Sequence, residues 1–371
     1  MGMRYGKLYV IVLVLLLVGV LSGVVFALTR STVVKTLASF TTTDGAMSWS
    51  PDGTKIASMR YPSGRSDDSK KELFVGDART GEILASKITF SEADTEGGMI
   101  VWSPDGTKLA VKLSWTSNSV IVVDSHTLET LMYIKAFSHA SLHGRVSEIS
   151  WSPDGKKIAL VGGHTMPSAG YVEVVDTTTY TVLFIHQQMK NAYSISWSPS
   201  SQYFTVGDNG SVQVWNAISY KQLLTYRVSG EYLHGASWQN NELIVSRGTT
   251  LDIRSVETRS EIRIWNAFSG VTVKTVSIHK SSDASHEMRV LTASLSPDGH
   301  LLLVSYRSKD ITGAGKDLFY VSVIDMSENT TIATYSDKNE RIDTIRWSPN
   351  GDLIASEDGP EKDISIWSLT K

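Results

Sequence analysis

The sequence predicts an all-β fold, seven four-stranded blades closed into a ring as a β-propeller, behind one apolar N-terminal transmembrane helix. Three observations carry this. A phrase of the form Trp-Ser-Pro-Asp-Gly recurs at intervals of roughly fifty residues. Short strands recur four to a repeat. No stretch from Ser31 to Lys371 shows helical periodicity.

The phrase stands at Trp49–Gly53, Trp102–Gly106 and Trp151–Gly155. It continues at Trp197–Ser201, in degenerate form at Trp238–Asn241, then at Leu295–Gly299 and Trp347–Gly351. Alternating segments such as Val146–Trp151 precede it, and apolar runs such as Lys157–Val161 follow it. Pro presets φ, Asp bonds its own backbone and Gly accepts positive φ, so each copy reads as the turn of an antiparallel hairpin. Asp52, Asp105 and Asp154 are therefore turn residues, since chemistry repeated in every blade is structural.

A third strand follows each hairpin, as at Ser119–Asp124, Val212–Trp215, Ile262–Trp265 and Ile364–Trp367. A short polar turn then leads to a fourth, as at Gln222–Tyr226. The last repeat stops at Lys371 after its third strand, while Thr32–Ser39 precedes the first phrase as a spare strand. Pairing that strand into the last blade completes seven blades and removes the exposed edges of an open array. The periodic tryptophans are expected in the wedges between blades, where large rings bury most surface. Only Trp115 falls outside the pattern.

At these residues the chain resembles the WD-repeat propeller family. The third-strand endings Val214–Asn216, Ile264–Asn266 and Ile366–Ser368 carry the likeness, and the Trp-Ser-Pro-Asp-Gly turns are also similar to those of TolB-type propellers. Asn or Ser replaces the family's Asp after Trp, and most repeats lack its Gly-His pair. Both departures bear on the family's His–Ser–Trp–Asp hydrogen-bond network, not on the architecture. The resemblance implies an assembly platform.

Leu8–Leu28 is uncharged and long enough to span a bilayer. Arg4 and Lys7 precede it, predicting a cytoplasmic tail (residues 1–7), a signal-anchor (8–28) and an exported propeller (31–371). The competing reading is cleavage near Ala27 and secretion. The chain has no Cys, which excludes disulfides and thiolate ligands and gives the composition a bacterial cast. A fourth strand begins on the rim of the phrase turns, so a short tether to the strand at Thr32 turns that rim toward the membrane.

The opposite rim carries the irregular loops: Pro62–Lys71, Ser91–Gly98, Phe137–Arg145, Arg247–Arg259, His279–Arg289 and Arg307–Lys316. Variable loops on a rigid scaffold are where binding concentrates. The candidate contacts there are Arg65, Asp67, Asp68, His139, His143, Arg145, His279, His286, Arg307, Lys309 and Asp310. No zinc spacing, nucleophile elbow, P-loop or dinucleotide fingerprint occurs, so no catalytic, metal or cofactor residue is assigned. A net charge of −3 without a basic run disfavours nucleic acid. The sequence thus predicts a monomeric, non-enzymatic, membrane-anchored scaffold that binds a protein or peptide through its membrane-distal rim. The alternatives are a lactonase-like exported hydrolase with three or more carboxylates or imidazoles converging at the channel mouth, or a TolB-like envelope component.

Overall fold

The computed structural model describes residues 33–42, 46–60, 70–91, 98–112, 118–138, 145–164, 169–189, 192–208, 210–228, 231–251, 258–278, 286–310, 318–337, 342–358 and 363–370. They form 28 strands in seven antiparallel four-stranded sheets. Six sheets are runs of consecutive strands: β2–β5, β6–β9, β10–β13, β14–β17, β18–β21 and β22–β25, taken here as blades 1 to 6. The seventh joins β1 (Val33–Phe40), β28 (Asp363–Thr370), β27 (Ile354–Asp358) and β26 (Ile342–Trp347) in that order, so β1 supplies the strand that the C-terminal repeat lacks. Val33 pairs with Thr370 and Phe40 with Ile364, which is the closure expected from the spare N-terminal strand.

The first strands are β2 (Met47–Trp49), β6 (Met99–Trp102), β10 (Arg145–Trp151), β14 (Ser194–Trp197), β18 (Glu231–Trp238), β22 (His286–Leu295) and β26 (Ile342–Trp347), and neighbours among them touch from β2 through β18 and again between β22 and β26. The apolar core divides into seven clusters, each shared by two neighbouring blades. Trp102, Trp151 and Trp197 pack into the clusters they share with the preceding blade, in the wedges predicted for them. Phe40 and Ala38 of β1 join Trp49 and Phe74 in the cluster between blades 7 and 1, which seals the ring. Gly76 is required there, because a Cβ would sit 2.4 Å from the Phe40 ring.

The turns form as their residues dictate. Ser50 Oγ donates to Asp52 Oδ1 at 2.5 Å and accepts the Lys55 amide at 2.9 Å, while Gly53 takes φ 70°. Partial burial opposes ionisation of Asp52, but the Ser50 hydroxyl and the Thr54 amide outweigh it and hold the carboxyl down at about 2. The Ser–Asp pair recurs at 103/105, 152/154 and 296/298, and Asn350 serves Ser348 in blade 7. In the degenerate copy Asn240 accepts the Glu242 and Leu243 amides, both at 2.8 Å, and so replaces the serine. Neighbouring turns are tied together, as where the Ser200 amide donates to Asn241 at 2.8 Å and the Asn350 side-chain amide to Asp52 O at 3.3 Å.

Part of the family's internal network survives. Trp265 Nε1 donates to Ser246 Oγ and Trp367 Nε1 to Ser356 Oγ, each at 3.0 Å inside blades 5 and 7. The Asn that follows Trp in blades 4 and 5 caps the next turn instead: Asn216 accepts the Ile218 and Ser219 amides, and Asn266 those of Phe268 and Ser269.

Three loops expected on the irregular rim need correction. Parts of Arg247–Arg259, His279–Arg289 and Arg307–Lys316 are strand: β19 (Leu243–Leu251) pairs with β20 (Thr258–Asn266), and β22 with β23 (Leu301–Asp310). Antiparallel pairing simply continues while each backbone amide finds a partner. Trp115 lies outside the described residues, as does Leu8–Leu28; among the described residues no helix is long and apolar enough to cross a membrane.

Candidate functional site

Two places in the ring offer a site: the rim opposite the phrase turns, and the central channel. Of the rim candidates, Arg65, Asp67, Asp68, His139, His143 and His279 lie outside the described residues. Arg145 opens β10 and is exposed. The structure does bring the remaining four together. His286 faces Asp310 across the β22–β23 pair, Glu287 faces Lys309, and Arg289 faces Arg307. β22 and β23 are ten residues each, against four in β6 and five in β7. At about 3.3 Å per residue, the hairpin of blade 6 carries these register pairs well beyond β6 and β7 (Lys108–Lys112) of blade 2.

The channel is built by alternation. In each first strand the residues one and three before the phrase's leading residue are half-buried or exposed, Ala46 excepted. The residue two before it is buried in every blade but 5 and 6, where it is Ala236 or Ala293. Period-two side-chain direction thus sends one set into the channel and the other into the wedges. Serine occupies the inner position next to the phrase in five blades (Ser48, Ser150, Ser196, Ser237, Ser294), with Val101 and Arg346 in the other two. One layer deeper stand Ala46, Met99, Glu148, Ser194, Gly235, Thr292 and Thr344. These two layers therefore hold one cation and one anion in a wall of hydroxyl and small apolar groups.

A first strand is a sheet edge, so its channel-side amides need partners beyond the blade. Neighbouring blades supply them through channel-facing side chains. The Ile195 amide donates to Glu148 Oε2 at 2.7 Å, and the Ile149 amide to Met99 Sδ at 3.3 Å. Indoles make a second link. Trp102 Nε1 donates to Ser48 O at 3.2 Å, Trp151 Nε1 to Val101 O at 3.3 Å and Trp197 Nε1 to Ser150 O at 3.2 Å. Each tryptophan thus grips the first strand of the preceding blade.

The indole links stop after blade 4, although the Trp238 amide still donates to Ser196 Oγ at 3.4 Å and the Trp347 amide to Ser294 Oγ at 3.5 Å. Trp238 and Trp347 are only half-buried, their Nε1 atoms have no partner, and blade 6 has Leu295 in place of an indole. Trp49 at the seam is also without a partner for its Nε1. A cavity of about 490 Å³ opens along this side, lined by Glu148 and Ser194 of blades 3 and 4, Gly235–Gln239 of blade 5, Leu291–Leu295 of blade 6 and Arg346 of blade 7. Glu148 keeps some surface open to the channel but lies deep among protein atoms. That burial pushes its carboxyl up to about 7, against the opposing pull of the Ile195 amide and of the Arg346 charge. Ser194 Oγ is buried and unpartnered, held between Gly207 and Gly235: a Cβ on Gly207 would stand 2.3 Å from it.

None of the candidate contact residues lines this cavity. Its signals were present as the single Glu and single Arg at inner positions otherwise filled by small residues, and as the phrase copies that are degenerate or lack Trp. Among the described residues no three His, Asp or Glu side chains gather to hold a metal, and the two inner layers hold one carboxylate, that of Glu148.

Comparison with known proteins agrees with the architecture. The WD repeat-containing protein slp1 of Schizosaccharomyces pombe is 22% identical over 308 residues, covering 81% of this chain and 55% of its own length. Protein HIR1 of Kluyveromyces lactis is 24% identical, covering 79% of this chain and 36% of its own. Cell division cycle protein cdt2 of S. pombe is 28% identical over 147 residues, 38% of this chain and 28% of its own. The chain spans about half or less of the length of these relatives. All three are eukaryotic, so they lend no support to the bacterial cast of the composition. A family model described as eukaryotic translation initiation factor eIF2A matches residues 35–205 and again 88–283, two placements offset by roughly one repeat. By that match the chain belongs to the eIF2A family, and it is a propeller of the WD-repeat type.

Proposed function

We propose that this chain is a non-enzymatic interaction scaffold whose contact surface is the rim opposite the phrase turns. The observation that carries the reading is the extended β22–β23 hairpin of blade 6. There His286, Glu287, Lys309 and Asp310 are paired strand to strand beyond the shorter first hairpins of other blades. Mixed charge on a rigid ribbon gives orientation and partner discrimination more than raw affinity. The WD-repeat relatives support a scaffold role. The translation role in the family's description is not carried over, because a net charge of −3 gives no general attraction to RNA.

The finer reading is a single-pass anchor through residues 8–28 with the propeller outside and this rim facing away from the bilayer. It is supported by the start of β1, since Val33 pairs with Thr370 where the third strand of blade 7 ends, on the phrase-turn side. Proximity labelling in cells, with the labelling enzyme fused to the full chain, tests the scaffold. A charge-reversed blade 6 hairpin (Lys309→Glu with Asp310→Lys) should lose neighbours that a phrase-turn variant such as Lys156→Glu retains. Identical neighbours for both variants would overturn the rim assignment.

A further inference from the structure

We infer that the open side of the channel is a binding site for a small zwitterion, its amine on Glu148 and its carboxylate on Arg346. Blade 3 and blade 7 stand nearly opposite in a ring of seven, so the two charges face each other across the cavity. Arg346 is exposed, and its charge acts on Glu148 across the cavity. A guanidinium so placed presents a planar fork matched to a carboxylate. Glu148 spends one oxygen on the Ile195 amide, which fixes the carboxylate while leaving the other free to accept from an ammonium.

The surrounding groups fit the same ligand. Ser237, Thr292 and Ser294 line the same cavity from inner positions and offer hydroxyls to a polar ligand. A volume of about 490 Å³ lies in the range of small-molecule pockets and exceeds what a few waters need. The two charges sit in different layers, Arg346 next to the phrase and Glu148 two residues deeper, so the ligand lies obliquely and its charges must be separated by several bonds. This asks for an ω-amino acid geometry over a compact α-amino acid. The inference goes beyond the scaffold reading: it uses none of the rim residues and stands or falls apart from them.

Isothermal titration calorimetry at neutral pH, on the full chain in detergent, tests it. The probes are glycine, 4-aminobutyrate and 6-aminohexanoate, with acetate and methylammonium as single-charge controls. An ω-amino acid should bind at least about tenfold more tightly than either control, a difference of about 1.4 kcal/mol. Glu148→Gln and Arg346→Gln should each remove that advantage, while Ser48→Ala, on the linked side, should leave it unchanged. Two results would overturn the inference: no heat from any ω-amino acid at millimolar concentration, or binding that survives both substitutions. Equal affinity for acetate and the amino acids would also overturn it, by reducing the site to an anion pocket. Melting temperatures of the variants separate lost binding from lost folding.

Discussion

On the side of the ring formed by blades 1 to 4, three indoles reach back to grip the preceding first strand, and the leading tryptophans are buried. On the side formed by blades 5 to 7, the same position holds two half-buried tryptophans without indole partners and one leucine. The serine-to-carboxyl or serine-to-amide turn bond recurs on both sides, with variants in blades 4 and 5, and each side keeps its apolar wedge clusters. The difference is therefore not in how a blade folds but in how two blades mate. A repeat protein can hold its local structure constant and place a cavity by loosening the contacts between repeats, because those contacts contribute separately to stability.

The seam between blades 7 and 1 should be the most sensitive place to break that arrangement. Trp49 gives its indole no partner there, so β1 must hold the ring through its pairing with β28 and through Phe40 and Ala38 in the shared cluster. Deleting residues 33–40 removes a whole strand and exposes the third strand of blade 7. The melting temperature should fall by about 10 °C or more, or the cooperative transition should vanish. An unchanged thermal scan would mean that the ring stays closed without its N-terminal strand.

Much of this was legible in the sequence, and the reason is periodicity. Seven turn phrases fix the blade count, and the incomplete last repeat fixes the closure, because each is a local pattern repeated until accident is excluded. Glu148 and Arg346 could not be read the same way. They stand far apart in the chain, and their meeting depends on the ring bringing the third and seventh blades face to face. The strand register that sets His286 opposite Asp310 was half-legible: the residues were singled out, but as loop, since strands rich in Arg, Lys and Ser lack the apolar alternation that marks a half-buried strand. The linked and open sides were invisible for a subtler reason. Trp151 and Trp347 sit in nearly the same phrase, and what separates them is the neighbour each one meets.

That pair gives the next sharpest test. Trp151→Leu removes a buried ring and its bond to Val101 O, whereas Trp347→Leu removes a half-buried ring that makes no indole bond. The first should cost about 3 kcal/mol and the second roughly half of that, by the usual scale for core truncation and for one net hydrogen bond. Urea unfolding of both variants measures the gap. Equal losses would show that the indole links contribute nothing beyond packing.

The last effect depends on pH and concerns Glu148, the carboxyl held by the two inner layers of the channel. Glu148 titrates near 7 in the folded chain because burial disfavours its charge, above the 4.5 of an unperturbed glutamate. Below about pH 4 the group is protonated whether the chain is folded or not, so it costs nothing. As pH rises from 4.5 to 7 the unfolded chain ionises first, and folding loses stability across that window. Above 7 the full cost remains, up to about 3 kcal/mol, since each tenfold change in an ionisation equilibrium is worth about 1.4 kcal/mol. Glutamine keeps an oxygen for the Ile195 amide and carries no charge. The Glu148→Gln variant should therefore match the native chain in melting temperature near pH 4 and exceed it increasingly up to pH 8. Adding an ω-amino acid at pH 8 should narrow that gap, because an ammonium beside the carboxylate offsets the cost that burial imposes. If the two chains melt alike at every pH, the open side of the channel hydrates its carboxylate as water would, and the contrast between the two sides is one of shape alone.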